Sequence, residues 1–181
     1  MARVHDEISP ALAEFVEAQP VFFVGTAPLA GDGHVNVSPK GLVPVRVLDP
    51  RTVAYLDLTG SGIETVAHLR ENGRITLMFC AFWGRPDIVR LYGRGEAVRR
   101  GDPGADALFA HFPDHPGARA VVRVTLDRIS SSCGFGVPRL DLVEDRDELV
   151  AWATKKTEAK LEEYRTDRNA TSIDGLPGWP R

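Results

Sequence analysis

The chain has 181 residues, 43% hydrophobic and 26% charged, enough for one globular domain with its own core. A net charge of −3 and a pI near 6.0 argue against a nucleic-acid binder. Two cysteines make no disulfide framework, no apolar run approaches a membrane span, and the charged N-terminus lacks an apolar signal core, so the expectation is a soluble cytoplasmic protein.

In chain order, Ser9 and Pro10 start a short helix, as N-cap and first-turn proline, with Leu12, Phe15 and Val16 on its apolar side. Residues 21–26 read as a buried strand, and the turn at Gly31 to Gly33 leads into a second strand over 34–40, a hairpin. Residues 42–48 read as a strand that Pro44 breaks or confines to an edge. A strand over 52–59 opens into Thr59, Gly60, Ser61 and Gly62, followed by a helix over 62–71 and a strongly apolar strand over 74–82. The strand over 88–98 carries Gly93 and Gly95, which predict a bend or bulge. A short helix over 105–112, a long alternating strand over 119–129 and an irregular stretch over 130–138 come next. The longest predicted helix spans 145–164, and a Gly/Pro-rich tail begins at Asn169. Mostly short turns between strands, with few helices, predict an antiparallel barrel rather than a parallel βαβ sheet.

The joint at Thr59 to Gly62 is the most informative stretch. Small residues and hydroxyls where a strand enters a helix, near a lysine, are what a phosphate site needs, because glycines let amides face an anion and the helix start adds positive potential. Ser61 and Glu64 also have the spacing of a capping box, which would use the same joint to satisfy the helix itself. Both readings stand open. Lys40 is a cofactor cation or an exposed strand-end lysine. Cys80 reads as a buried thiol and His68 as structural, while Cys133 either touches a ligand or packs. His111 and His115 flank Pro113, which breaks the helix that a metal pair would need.

The order of a strand ending at Lys40, the Thr59 to Gly62 joint, a helix, a strand and then Arg90 to Gly95 resembles the pyridoxamine 5′-phosphate oxidase-like flavin-binding split barrels. Asn36 to Gly41, Ala67 to Gly73, Cys133 to Pro138 and Ser172 to Gly178 resemble a bacterial branch of that family. The resemblance implies a mainly β fold, a six-stranded antiparallel Greek-key split barrel with flanking helices. Residues 1–140 would form the barrel with its N-terminal helix, and 141–181 a long helix and tail packed on the same domain. It also implies a homodimer with FMN in two equivalent clefts, each lined by both chains.

The cofactor contacts that follow are Asn36, Ser38, Lys40, Thr59, Gly60, Ser61, Gly62, Thr65 and Arg90. The family opens the strand ending at Lys40 with a basic residue where this chain has Val35. It also places a basic pair where this chain has Glu64 and Thr65. Backbone amides at the joint, the hydroxyls of Thr59 and Ser61, and Lys40 would then hold the phosphate, with Arg70 in reserve. The implied function is an FMN-dependent oxidoreductase, with the flavin supplying the redox chemistry. The family enzyme's late Arg-x-His is absent from the end of this chain, so its own reaction is not expected. An F420-dependent reductase on the same barrel and a non-catalytic flavin- or haem-binding protein are the alternatives.

Overall fold

The computed structural model describes residues 3–179; Met1, Ala2, Pro180 and Arg181, the last two part of the predicted tail, lie outside them. A short β1 (Arg3–His5) precedes α1 (Pro10–Glu17), whose first turn is closed by Ser9 Oγ accepting from the Leu12 amide at 3.3 Å. Strands β2 (Phe22–Thr26) and β3 (Asn36–Lys40) form the expected hairpin. Then follow β4 (Arg46–Asp49), β5 (Thr52–Leu58), α2 (Glu64–Asn72), β6 (Arg74–Cys80), β7 (Ile88–Arg99), α3 (Ala105–Phe109) and β8 (Ala118–Ser132). Two helices, α4 (Glu148–Thr154) and α5 (Glu158–Arg168), complete the chain. Helix α2 ends where Gly73 takes a left-handed φ of 72°, a conformation that costs glycine nothing.

All pairings are antiparallel, in the order β3-β2-β6-β7-β8-β5-β4, with β1 added to the far end of β8. The fold is therefore mainly β with flanking helices, as expected. Among the described residues it has eight strands where six were expected, and β1 and β4 are short. The sheet wraps one core, in which Phe22 stacks on Phe79 at 5.3 Å and meets Tyr55 edge-on at 5.5 Å, with Val24, Leu77, Leu91, Val122, Val124 and Ile129 around them. Val16 of α1 closes that core. The opposite face of β5, with Ala54 and Leu56, packs under Leu108, Phe109 and Phe112. Strand β5 is thus buried on both faces, which is why its sequence lacks alternation.

Four expectations are corrected. The long helix over 145–164 is two helices: Thr157 Oγ1 accepts from the Lys160 amide at 3.4 Å and restarts the helix as α5. The break folds α4 back, so that Trp152 meets Tyr164 edge-on at 5.0 Å. On one continuous helix these residues would stand roughly 18 Å apart. Ser130, Ser131 and Ser132, read as irregular, extend β8 because β7 pairs with all three and β1 with the first two. The strand over 42–48 begins only at Arg46, after Leu42 takes a φ of 68°. No capping box forms: the N-cap of α2 is Ile63, without a side-chain bond.

Gly93 is where the register of β7 against β8 shifts, and a Cβ there would lie 2.1 Å from the Thr125 carbonyl oxygen. Gly95 meets flexible side chains instead, the nearest being Leu69 at 3.0 Å. We therefore expect Gly93→Ala to cost about 2–3 kcal/mol and Gly95→Ala less than about 1.5 kcal/mol. Urea unfolding of the two variants checks this, and equal losses would refute the bulge as the constraint.

Candidate functional site

A carboxylate and two cations organise the end of the barrel that holds the joint. Asp57, on β5, is wholly buried. Its Oδ1 accepts from Lys40 Nζ at 2.9 Å and its Oδ2 from Arg119 Nε at 2.6 Å. Burial pushes the Asp57 carboxyl up, but Arg119 and Lys40 reverse this and bring its pKa to about 2. Lys40 comes from β3, at one end of the sheet, and Asp57 lies one strand in from the other end, so the ion pair spans the split. Lys40 is therefore not an ordinary exposed strand-end lysine. Its side chain keeps 21% exposure, and the Asp57 bond uses one of the three Nζ donors.

The same guanidinium builds the joint. Arg119 Nη2 donates to the Gly62 carbonyl at 3.0 Å and Nη1 to Asn169 Oδ1 at 2.8 Å. Asn169, wholly buried, donates through Nδ2 to the carbonyls of Gly60 at 3.0 Å and Ser61 at 3.3 Å. Thr59 is buried, and its hydroxyl accepts from Arg165 Nε at 2.9 Å, so it faces inward. Arg165 in turn pairs with Glu158 at 2.6 Å and Glu162 at 3.4 Å. The amides of Gly60, Ser61 and Gly62 meet no protein acceptor among the described residues, and Ser61 and Gly62 are exposed. Glu64 leans back over this turn: a Cβ on Gly62 would come within 2.6 Å of its Oε2.

Beside the joint, Asn36 Nδ2 donates to Thr65 Oγ1 at 3.1 Å and Thr26 Oγ1 at 3.4 Å, and Ser38 Oγ donates to Asn36 Oδ1 at 3.2 Å. Thr26 also meets His68 Nδ1 at 3.0 Å, inside the protein, where burial lowers the imidazole pKa. Arg90 lies elsewhere. It bonds Ser132 Oγ at 3.2 Å, and its β8 partner Ser130 sits ten residues from Ala120, the partner of Asp57. That is roughly 33 Å of strand, and among the described residues Arg90 bonds none of the joint. Cys80 is buried as expected, whereas Cys133 is exposed rather than packed.

The tail closes the region. Arg70, the reserve cation, donates to the Gly178 carbonyl, and Trp179 packs on Ile63 and Val66 while its Nε1 donates to Glu162 at 2.9 Å. His34 meets Asp174 through its backbone amide at 2.8 Å and Nδ1 at 2.6 Å. Asp57 had one sequence signal: an acid inside an apolar strand needs buried cations. Asn169 had none.

Removing the Asp57 charge leaves Arg119, 4% exposed, facing a neutral group. Asp57→Asn is expected to destabilise the fold by about 3–5 kcal/mol. In the wild type the Asp57 pKa is lowered on folding. Its contribution, roughly 2 kcal/mol, is therefore present above the ordinary value of 3.8 and is lost as pH falls through about 2. Melting curves against pH check both points; a variant as stable as wild type would refute the role of Asp57.

Residues 8–133 match the family described as Pyridoxamine 5′-phosphate oxidase. A pyridoxamine 5′-phosphate oxidase family protein of Aspergillus flavus, ustO, is 41% identical over 191 aligned positions, covering 96% of this chain and 76% of that protein. This relative is fungal, so the resemblance is not confined to bacteria. Among solved structures, HupZ of group A Streptococcus aligns with a TM-score of 0.51 and 22% identity, covering 67% of this chain and 91% of that one. An FAD-binding protein of Mesorhizobium loti aligns with a TM-score of 0.50 and 15% identity, covering 72% and 95%. These two structures speak for the fold alone. The extent of the sequence match and the fungal relative together establish that this chain belongs to the pyridoxamine 5′-phosphate oxidase family.

Proposed function

We propose that the chain binds FMN non-covalently at the β5–α2 joint and acts as a flavin-dependent oxidoreductase. The observation that carries this reading is the set of amides at Gly60, Ser61 and Gly62, without protein acceptors among the described residues, together with the Lys40 ammonium, which Asp57 engages through one donor. Those groups and the Ser61 hydroxyl fit a phosphate. Asn36, Ser38 and Thr65 supply the polar groups next to it, which fit the ribityl chain and the ring edge. Thr59 supports the turn from beneath through Arg165. When bound, the flavin supplies electron or hydride transfer; the chain orients it and shields it from water.

A second copy completes the site in this reading. Val35 and Val37, 72% and 66% exposed, flank Asn36 where the edge strand β3 begins, and Phe23 and Met78 are only half-buried. An apolar surface of this kind next to a polar ledge is suited to two-fold pairing, which would also bring Arg90 of the partner toward the joint. Glu64 favours one competing reading. Its charge over Gly62 opposes a dianionic monoester such as FMN more than the monoanionic diester of F420, so an F420-dependent reductase remains the alternative enzyme. Non-catalytic binding of flavin or haem is the alternative from another class.

The absorbance spectrum of the purified protein, mass spectrometry of any released ligand and fluorescence titration with FMN test these readings. Flavin bands and saturable FMN binding are expected; a Soret band, or no flavin binding, would overturn the proposal. Lys40→Ala should weaken FMN binding about ten- to a hundredfold. It should also lower stability, since Asp57 keeps only Arg119 as a partner. Unchanged FMN affinity in the folded variant would remove Lys40 from the site.

A further inference from the structure

We propose that Asn169, beyond the family-matched residues 8–133, is a positioning residue for the phosphate end of the flavin site; this rests on the FMN reading above. A trans peptide is planar, so the carbonyl of one residue and the amide N–H of the next point in opposite directions. Asn169 Nδ2 holds the carbonyls of Gly60 at 3.0 Å and Ser61 at 3.3 Å. It thereby turns the amides of Ser61 and Gly62 away from the protein interior, toward the exposed side of the joint. Arg119 does the same to the next peptide through the Gly62 carbonyl at 3.0 Å.

The orientation of the Asn169 amide is itself fixed. Arg119 has only donors, and its Nη1 lies 2.8 Å from Asn169 Oδ1, so the oxygen must face the guanidinium and the nitrogen must face the carbonyls. Arg119 is anchored by Asp57 at 2.6 Å, and the Asn169 backbone carbonyl accepts from the Trp179 amide at 2.6 Å. The tail has little room to slide, because a Cβ on Gly178 would lie 2.5 Å from that same carbonyl oxygen. The joint amides are thus aimed from below by a side chain 109 residues further along the chain, without any contact between that side chain and the ligand.

Riboflavin shares the ring and ribityl chain of FMN but lacks the phosphate, so the ratio of the two affinities reads the phosphate contacts alone. The wild type should bind FMN at least about tenfold more tightly than riboflavin. In Asn169→Ala that preference should fall to about twofold or less, with riboflavin affinity unchanged. Asn169→Ser, whose short hydroxyl does not span both carbonyls, gives the same reading if the alanine variant melts below the assay temperature. A variant that keeps the wild-type preference, or that loses FMN and riboflavin affinity alike, would overturn the positioning role and leave the flavin reading intact. Equal wild-type affinity for both ligands would remove the phosphate from this joint, and the positioning role with it. A wild type that binds neither would overturn the flavin reading itself.

Discussion

A single carboxylate that water never reaches sets the arrangement of this barrel end. Asp57 cannot be left alone in the interior, since an isolated buried charge costs far more than the fold's margin of stability. It recruits Arg119 from β8, the strand beside β5, and Lys40 from β3, at the far end of the sheet path. Relative to an apolar trio, such a cluster adds little net stability. What it adds is discrimination, because a slip of one residue in β3 would turn Lys40 to the other face of the strand and strand the carboxylate.

From Asp57 the constraint passes outward. Arg119 carries it to Asn169 and to the Gly62 carbonyl, and Asn169 carries it to Gly60 and Ser61. Arg165 holds Thr59 by a separate route, with Glu158 and Glu162 offsetting its charge. The joint therefore has two layers. Carbonyls and the Thr59 hydroxyl are satisfied inward by buried side chains, and amides are left on the outer side. This division explains how residues adjacent in sequence differ in what they can do: Thr59 can only support the turn, whereas Ser61 can reach a ligand. Glu64, over the Gly62 backbone, carries a charge that works against an anion there.

Much of the barrel was legible because it depends on local patterning. The hairpin at Gly31 to Gly33, the left-handed stop at Gly73 and the bulge at Gly93 each announce themselves through residue type. Strand β1 was not legible, because Arg3–His5 has no apolar alternation and exists only through pairing with β8. The restart of the helix at Thr157 was hidden by apolar spacing that continues across it, although the cap hydroxyl was in plain view. In the site, Lys40 was legible as a cation at a strand end, but its partner was not, because pairing with Asp57 is a matter of which strands meet across the sheet. Asn169 and Trp179 carried no local signal; their roles follow from where a long tail returns.

That return also determines which part of the joint responds to pH. Asp57, held to about 2, keeps its charge throughout any ordinary range. His34 is different: its side-chain bond to Asp174 and the nearby charge raise its pKa, and the same contact lowers that of Asp174. A raised histidine pKa means that the contact is fully formed below the ordinary value and fades as pH rises through the folded one. The tail therefore has a pH-dependent side-chain fastening at Asp174, and a second fastening at Asn169 whose partners are Arg119 and backbone groups. Loss of the His34 proton weakens the side-chain bond alone: the His34 amide still donates to Asp174, and Asn169 still holds the carbonyls that aim the joint.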